Sequence, residues 1–169
     1  MDIKAYVLDK ASEAREGARI LAKASSGRKN VVLFEMAKAL QKNAKELISE
    51  NKKDIKFAKE KGLSRALIDR LALNEKRVTE MAQGLNEVAA LPDPAGEIAK
   101  MWKRPNGMTV GRMRVPIGVI GIIYESRPNV TADAAGLCLK AGNAVILRGG
   151  SEAINSNRAI VNVLRSVAK

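Results

Sequence analysis

The 169-residue sequence contains no histidine. Imidazole is therefore unavailable as a general base, as the partner of a nucleophile or as a metal ligand. Acid–base chemistry within the chain falls to carboxylates, lysine, tyrosine or a thiol. There is a single cysteine, Cys138. No internal disulfide can form, no CxxC pair offers a thiolate zinc site, and a reduced cytoplasmic setting is the expectation. Aromatic residues make up 3% of the chain, too few to build platforms on which bases stack. Long hydrophobic runs are missing as well. The longest, Val115–Tyr124, is interrupted by Pro116, Gly118 and Gly121. It is about half of the roughly 20 residues needed to cross a bilayer. Residues Met1-Asp2-Ile3-Lys4-Ala5 mix acids and bases and lack the apolar core of a signal peptide. A soluble protein without a membrane partner is expected.

What is present is charge and enough apolar residues for a core. Hydrophobic residues reach 46%, and the formal net charge is +12. A basic balance of this size suggests either a nucleic-acid-binding module or a lysine-rich solvated surface serving a phosphate-bearing ligand. No helix-turn-helix, zinc-finger or RNP pattern occurs, which favours the second. The length suits one domain.

Residues 1–91 read as helical. Val7, Ala11, Ala14, Ala18 and Leu21 recur at steps of four and three, as do Leu33, Ala37, Leu40, Ala44, Leu47 and Ile48. Both stripes are expected in the core. The pattern weakens from Asn51 to Asp54. Ser64 is placed to cap a short helix to Leu71, and Asn74 to cap one whose buried face is Val78, Met81, Ala82, Leu85 and Val88. Pro92-Asp93-Pro94 ends the helical part. Residues 98–115 read as a β-hairpin around Pro105-Asn106-Gly107, with Asn-Gly supplying the positive φ angles of a tight turn. Its basic arms either protect an edge or form a ribbon that meets a second subunit.

From 116 to 169 the pattern is strand, loop, helix, strand, loop, helix, with Ser151 placed to cap the last helix and Ile160, Val161, Leu164, Val167 and Ala168 expected on its buried side. Ile117–Tyr124 and Ala144–Leu147 are continuous apolar runs, expected to be buried on both faces as in a parallel sheet. The fold class is α/β: N-terminal helices, a hairpin, then the start of a parallel Rossmann-like sheet. Two parallel strands are too few for a stable sheet of this kind, so a fragment of a longer protein is expected. Ligands bind such sheets at the carboxyl ends of the strands. That singles out Glu125-Ser126-Arg127-Pro128-Asn129 and Arg148-Gly149-Gly150-Ser151-Glu152. Asn129 is placed either to cap the following helix or to donate from its amide to a developing oxyanion. Arg127, Arg148 and Ser151 are natural anion donors, Gly149 and Gly150 would admit a ligand close to the backbone, and the helix start after Ser151 would favour an anion. The alternative is an ordinary strand–helix turn. Neither GxGxxG nor GxxxxGK[ST] is present. Cys138 lies among Gly136, Leu137 and Leu139, a setting for a small buried hydrophobe rather than a nucleophile.

The run Val115–Ala153, with Val-Pro-Ile-Gly-Val-Ile-Gly-Ile-Ile-Tyr-Glu-Ser-Arg-Pro-Asn at its head, closely resembles the γ-glutamyl phosphate reductases of the aldehyde dehydrogenase superfamily. The likeness extends to Asp69-Arg70-Leu71-Ala72-Leu73-Asn74 and Leu91-Pro92-Asp93-Pro94-Ala95-Gly96. The resemblance implies NADPH-dependent reduction of L-glutamyl 5-phosphate to glutamate 5-semialdehyde in proline biosynthesis, through a thioester on a cysteine. It implies an oxyanion role for Asn129, in place of or beside capping. It implies that Tyr124, Glu125, Ser126, Arg127 and Pro128 line the NADP cofactor, and that Arg148, Gly149, Gly150, Ser151 and Glu152 meet its adenosine ribose. The Gly-Gly pair departs from the Lys-Pro-Ser-Glu form of other aldehyde dehydrogenases. The family's nucleophile lies beyond position 169, and Cys138 does not match it. The resemblance thus divides the chain into a helical part of the cofactor domain (1–97), a hairpin for homo-oligomer contact (98–115) and the first βαβα of the cofactor sheet (116–169), without a catalytic domain. A general aldehyde dehydrogenase and a nucleic-acid-binding module are the competing readings.

Overall fold

A computed structural model of the chain describes residues 2–168. Five helices come first: α1 (Ile3–Leu21), α2 (Ser26–Lys42), α3 (Ala44–Glu60), α4 (Arg65–Leu71) and α5 (Glu75–Ala90). The strands β1 (Ile98–Lys103) and β2 (Thr109–Met113) follow, then β3 (Val119–Ile123), α6 (Pro128–Lys140), β4 (Ala144–Arg148), a 3-10 turn (Ser151–Ala153) and α7 (Ile154–Val167). This is the expected α/β order. Strands β1 and β2 pair antiparallel, and β3 and β4 pair parallel with α6 as the crossover.

Helix starts are set by side-chain caps. Ser25 accepts from the amide of Arg28, Ser64 from Leu67 and Asn74 from Arg77. The long second stripe is two helices. Asn43 turns its side-chain amide back to the Ala39 carbonyl at 2.8 Å, and the backbone breaks there. The main core joins α2, α3, α5 and α7 through Leu33, Leu40, Leu47, Val78, Leu85 and Ile160, all nearly inaccessible.

Three expectations about burial fail. On α1, Ala18 is buried, but Val7 is 56% exposed and Ala11 is also exposed. The main contacts of α1 are with β4 and β3, and Ile3, Tyr6, Val7 and Leu8 remain open to solvent. The strands are not covered on both faces: Ile123 is 79% exposed, because a two-stranded sheet has no outer neighbours. On α7, Ile160 and Leu164 are buried as expected, while Val161 and Val167 are only partly covered and Ala168 is exposed. The hairpin forms and is almost wholly exposed. Its loop is five residues, 104–108, rather than a two-residue turn. Of the Asn-Gly pair only Gly107 takes a positive φ, +84°, and the Arg104 amide reaches the Met108 carbonyl across the loop.

The weakening at Asn51–Asp54 is a buried polar joint. Asn51 donates to the Leu71 carbonyl at 2.8 Å and to Ser156 Oγ at 2.9 Å, and accepts from the Leu73 amide at 2.7 Å. Asp54, 1% exposed, accepts from the Asn155 and Ser156 amides and from both of their side chains. α3 therefore caps α7, the role expected of Ser151. A second buried pair, Lys29 with Asp93 at 2.5 Å, ties α2 to the Pro92–Pro94 turn. Burial opposes ionisation of Asp93, but Lys29, the Ala95 amide and Ser26 outweigh it and hold the carboxyl below its ordinary value.

Replacing Asp54 with Ala strands two amides and two side chains in the interior. A loss of about 3 kcal/mol is expected, measured by urea unfolding; a loss below about 1 kcal/mol would show that the joint is dispensable.

Candidate functional site

The parallel register sets Ile123 opposite Arg148, so both strands end at the same level. The amide of Tyr124 extends the ladder to the Arg148 carbonyl at 3.1 Å. The loops 124–127 and 149–152 consequently leave the sheet side by side. Pro128 forms the first turn of α6 and holds Arg127 extended, at φ −124° and ψ 100°. Arg127 occupies the cap position, and Asn129 lies within the first turn without capping it. The capping role for Asn129 is therefore excluded. Its side-chain amide has one contact, Asp133 Oδ2 at 3.4 Å one turn on. The amide is exposed and retains a free donor.

The loops are linked to each other. Ser126 Oγ donates to Glu152 Oε2 at 2.7 Å. That bond foremost, with a smaller contribution from the Arg148 charge, keeps the Glu152 carboxyl below its ordinary value. The phenol of Tyr124 meets Thr131 Oγ1 at 2.7 Å, and Thr131 donates to Asn157 Oδ1 at 2.9 Å. Burial raises the Tyr124 pKa. Tyr124 thus knits β3 to α6 and α7 and stays protonated.

The two glycines leave room for something other than the expected ligand. A Cβ on Gly149 would collide with the Asn157 amide and press on the Tyr124 ring, and one on Gly150 would run into Ser126 Oγ and the Glu152 carboxylate. Both admit the protein's own side chains. The start of α7 is likewise taken, by Asp54, so it offers no free helix end to an anion. Ser151 is exposed in the 3-10 turn, with its hydroxyl 3.2 Å from Glu152 Oε1.

Two adjoining hollows open here. One, of about 620 Å³, has Ile123, Tyr124, Arg148, Gly150 and Glu152 on its wall, with Leu63 and Leu67 opposite. The other, of about 380 Å³, lies between α4, α5 and the start of α6, and holds Asn129, Asp133, Asp69, Arg77 and Met81. Arg70 and Arg127 line both. Asn129 and Arg148 therefore belong to different chambers with a shared cationic threshold. Glu125 stands at that threshold, 3.8 Å from Arg70 and 3.9 Å from Arg127, contacts too long and exposed to fix either arginine. The sequence reading missed the contribution of α4 and α5. Nothing in the spacing of Leu63, Leu67, Arg70 or Arg77 marks them, because they reach the site only through tertiary packing. Cys138 is buried on α6, and burial raises its pKa, against any nucleophilic role. No group of metal-binding side chains occurs among the described residues, and no helix is long and apolar enough to cross a membrane.

No family model matches the chain. It is 63% identical over all 169 residues to the gamma-glutamyl phosphate reductase of Thermodesulfovibrio yellowstonii, covering 40% of that protein. It is similar in structure to the crystallised gamma-glutamyl phosphate reductase of Thermotoga maritima, with a TM-score of 0.92 and 46% identity over 95% of the chain and 39% of that protein. A salicylaldehyde dehydrogenase from Pseudomonas putida superposes at a TM-score of 0.75 with 17% identity, over 98% of the chain and 32% of that protein, which speaks for the fold alone. The likeness read at Val115–Ala153 is thus borne out over the whole chain, and the fold is that of the aldehyde dehydrogenases. The chain spans about 40% of the length of the curated relatives it matches. The relatives do not favour the nucleic-acid-binding or general aldehyde dehydrogenase readings.

In a Ser126→Ala variant, Glu152 loses the donor that most depresses its acidity. Its carboxyl is expected to titrate closer to the ordinary glutamate value, measured by side-chain carbon NMR; an unchanged titration would mean that the link between the loops does not govern it.

Proposed function

We propose that this chain is part of an NADPH-dependent γ-glutamyl phosphate reductase, carrying its cofactor sheet and the oxyanion donor, with the nucleophilic cysteine on another part of the enzyme. The observation that carries the reading is Asn129, whose amide keeps a free donor in a small charged hollow that adjoins, across Arg70 and Arg127, a larger one suited to a dinucleotide.

The residues of the larger hollow fit a nicotinamide dinucleotide. Arg148 is an exposed cation, without a salt bridge among the described residues, at the end of β4, and suits a 2′-phosphate. Glu152, held ionised by Ser126, suits a ribose hydroxyl. Leu63, Leu67 and Ile123 offer apolar surface to a flat ring. When bound, the nicotinamide supplies a hydride. The part of this chain is to position and to stabilise. Thiolate attack on the acyl phosphate places negative charge on the carbonyl oxygen before phosphate leaves and the thioester forms. A neutral amide at Asn129 stabilises that oxygen without adding a charge. It serves again when the thioester carbonyl is reduced and the thiolate departs, leaving the aldehyde. The hairpin Ile98–Met113, fully formed yet exposed, fits a ribbon that joins subunits into a homo-oligomer. A reduced cytoplasmic location suits one buried thiol.

Kinetics of the complete enzyme test this reading. Asn129→Ala is expected to lower kcat by about 10²-fold or more with little change in the KM for NADPH. Arg148→Ala is expected to raise the KM for NADPH about tenfold more than that for NADH. Equal effects of Arg148→Ala on the two cofactors would refute the 2′-phosphate assignment, and an unchanged kcat in Asn129→Ala would refute the oxyanion role.

A further inference from the structure

The smaller hollow contains three carboxylates, Asp69, Glu80 and Asp133. Two have cations. Asp69 pairs with Arg77 at 3.3 Å, and Glu80 lies 3.9 Å from Lys76 on the outside of α5. Asp133 has none among the described residues. Its one polar contact is the long 3.4 Å approach of the Asn129 amide. Asp133 is half-buried on α6, directly against α5, where its Oδ1 lies close to Gly84. Burial raises its pKa, and the Asn129 contact only partly offsets that. A carboxylate withdrawn from water, lining a hollow and lacking a counter-ion is a group whose charge a ligand can satisfy.

The position of Asp133 fixes which ligand. It is one helical turn from Asn129 on the same face of α6. A substrate whose reacting carbonyl lies at Asn129 therefore places its other end near Asp133. The cations that line the same hollow, Arg70 and Arg127, have only loose contacts at 3.8 and 3.9 Å. Arg77 is already committed, donating to the Ala72 carbonyl at 2.7 Å and to the Asp69 carbonyl. One unsatisfied anion and two available cations form the complement of an α-amino acid head group.

Resting on the reductase reading above, we propose that Asp133 determines specificity: it binds the α-ammonium of the amino-acid substrate, while Arg70 and Arg127 receive its anionic groups. The hollow selects aldehydes and acyl phosphates that carry an α-amino group over analogues that lack it. Asp133 touches substrate but takes no part in bond making.

The test uses the complete enzyme, assayed for phosphate-dependent oxidation of two aldehydes: glutamate 5-semialdehyde and its deaminated counterpart, 5-oxopentanoate. The wild type is expected to prefer the amino-bearing aldehyde. In Asp133→Asn, which keeps the shape, kcat/KM for glutamate semialdehyde is expected to fall about tenfold or more through KM, with 5-oxopentanoate and the KM for the cofactor unchanged. Asp133→Glu is expected to recover part of the preference. If Asp133→Asn lowers kcat equally for both aldehydes, Asp133 acts by orienting Asn129 and the proposal is overturned. If the wild type oxidises 5-oxopentanoate as well as glutamate semialdehyde, the ammonium is not read and the proposal is likewise overturned. A folded wild type that oxidises neither aldehyde overturns the reductase reading itself, and the proposal with it.

Discussion

The site depends on a buried carboxyl far from it in sequence. Asp54, in the middle of α3, grips the first turn of α7 through two amides and two side chains. Asn51, one turn earlier, ties the same helix end to the chain leaving α4. These two residues join both walls of the larger hollow. The loop 149–152 enters α7, and α4 supplies Leu67 and Arg70 opposite it. A buried polar group must be satisfied, and satisfying it in one geometry gives the interior a single registration that apolar packing alone would not impose. The helix end is thereby neutralised from within. An incoming phosphate must find arginine side chains rather than backbone amides.

A parallel sheet then does the positioning. Because Ile123 and Arg148 are level, the two loops that follow are neighbours, and Ser126 can reach Glu152. Pro128 holds the first loop extended and starts α6, which directs Asn129 and, one turn later, Asp133 toward the second hollow. Arg70 and Arg127 border both chambers. The arrangement separates two chambers: one lined by Arg148 and Glu152, the other by Asn129 and Asp133.

The sequence made some of this legible, because some of the signals are local. Ser64 and Asn74 cap where they were expected to, and the strand–loop–helix alternation located the two loops that leave the sheet side by side. Asn43 was hidden because helical periodicity continues across it; only its side chain's return to Ala39 reveals the break. Asn51 and Asp54 looked like a weakening since polar residues blur an apolar stripe, whether they face water or the interior. The first helix misled for the opposite reason. Its stripe is regular, but periodicity tells which side is greasy and not whether anything lies against it. Asn129 was misjudged by two positions, since Arg127 takes the cap and Pro128 already begins the helix. Asp69, Arg70, Arg77 and Asp133 were out of reach of local rules, and they enter the site only when α4 and α5 fold against α6.

The lone cysteine has a consequence of its own. Cys138 lies within α6, its reactivity damped by the apolar surroundings. An electrophile that hunts for activated thiolates in a longer enzyme would pass this segment by and mark the nucleophile elsewhere. Alkylation at Cys138 would then register only those moments when α6 lifts away from its neighbours, so this buried thiol clocks the breathing of the helix that carries Asn129.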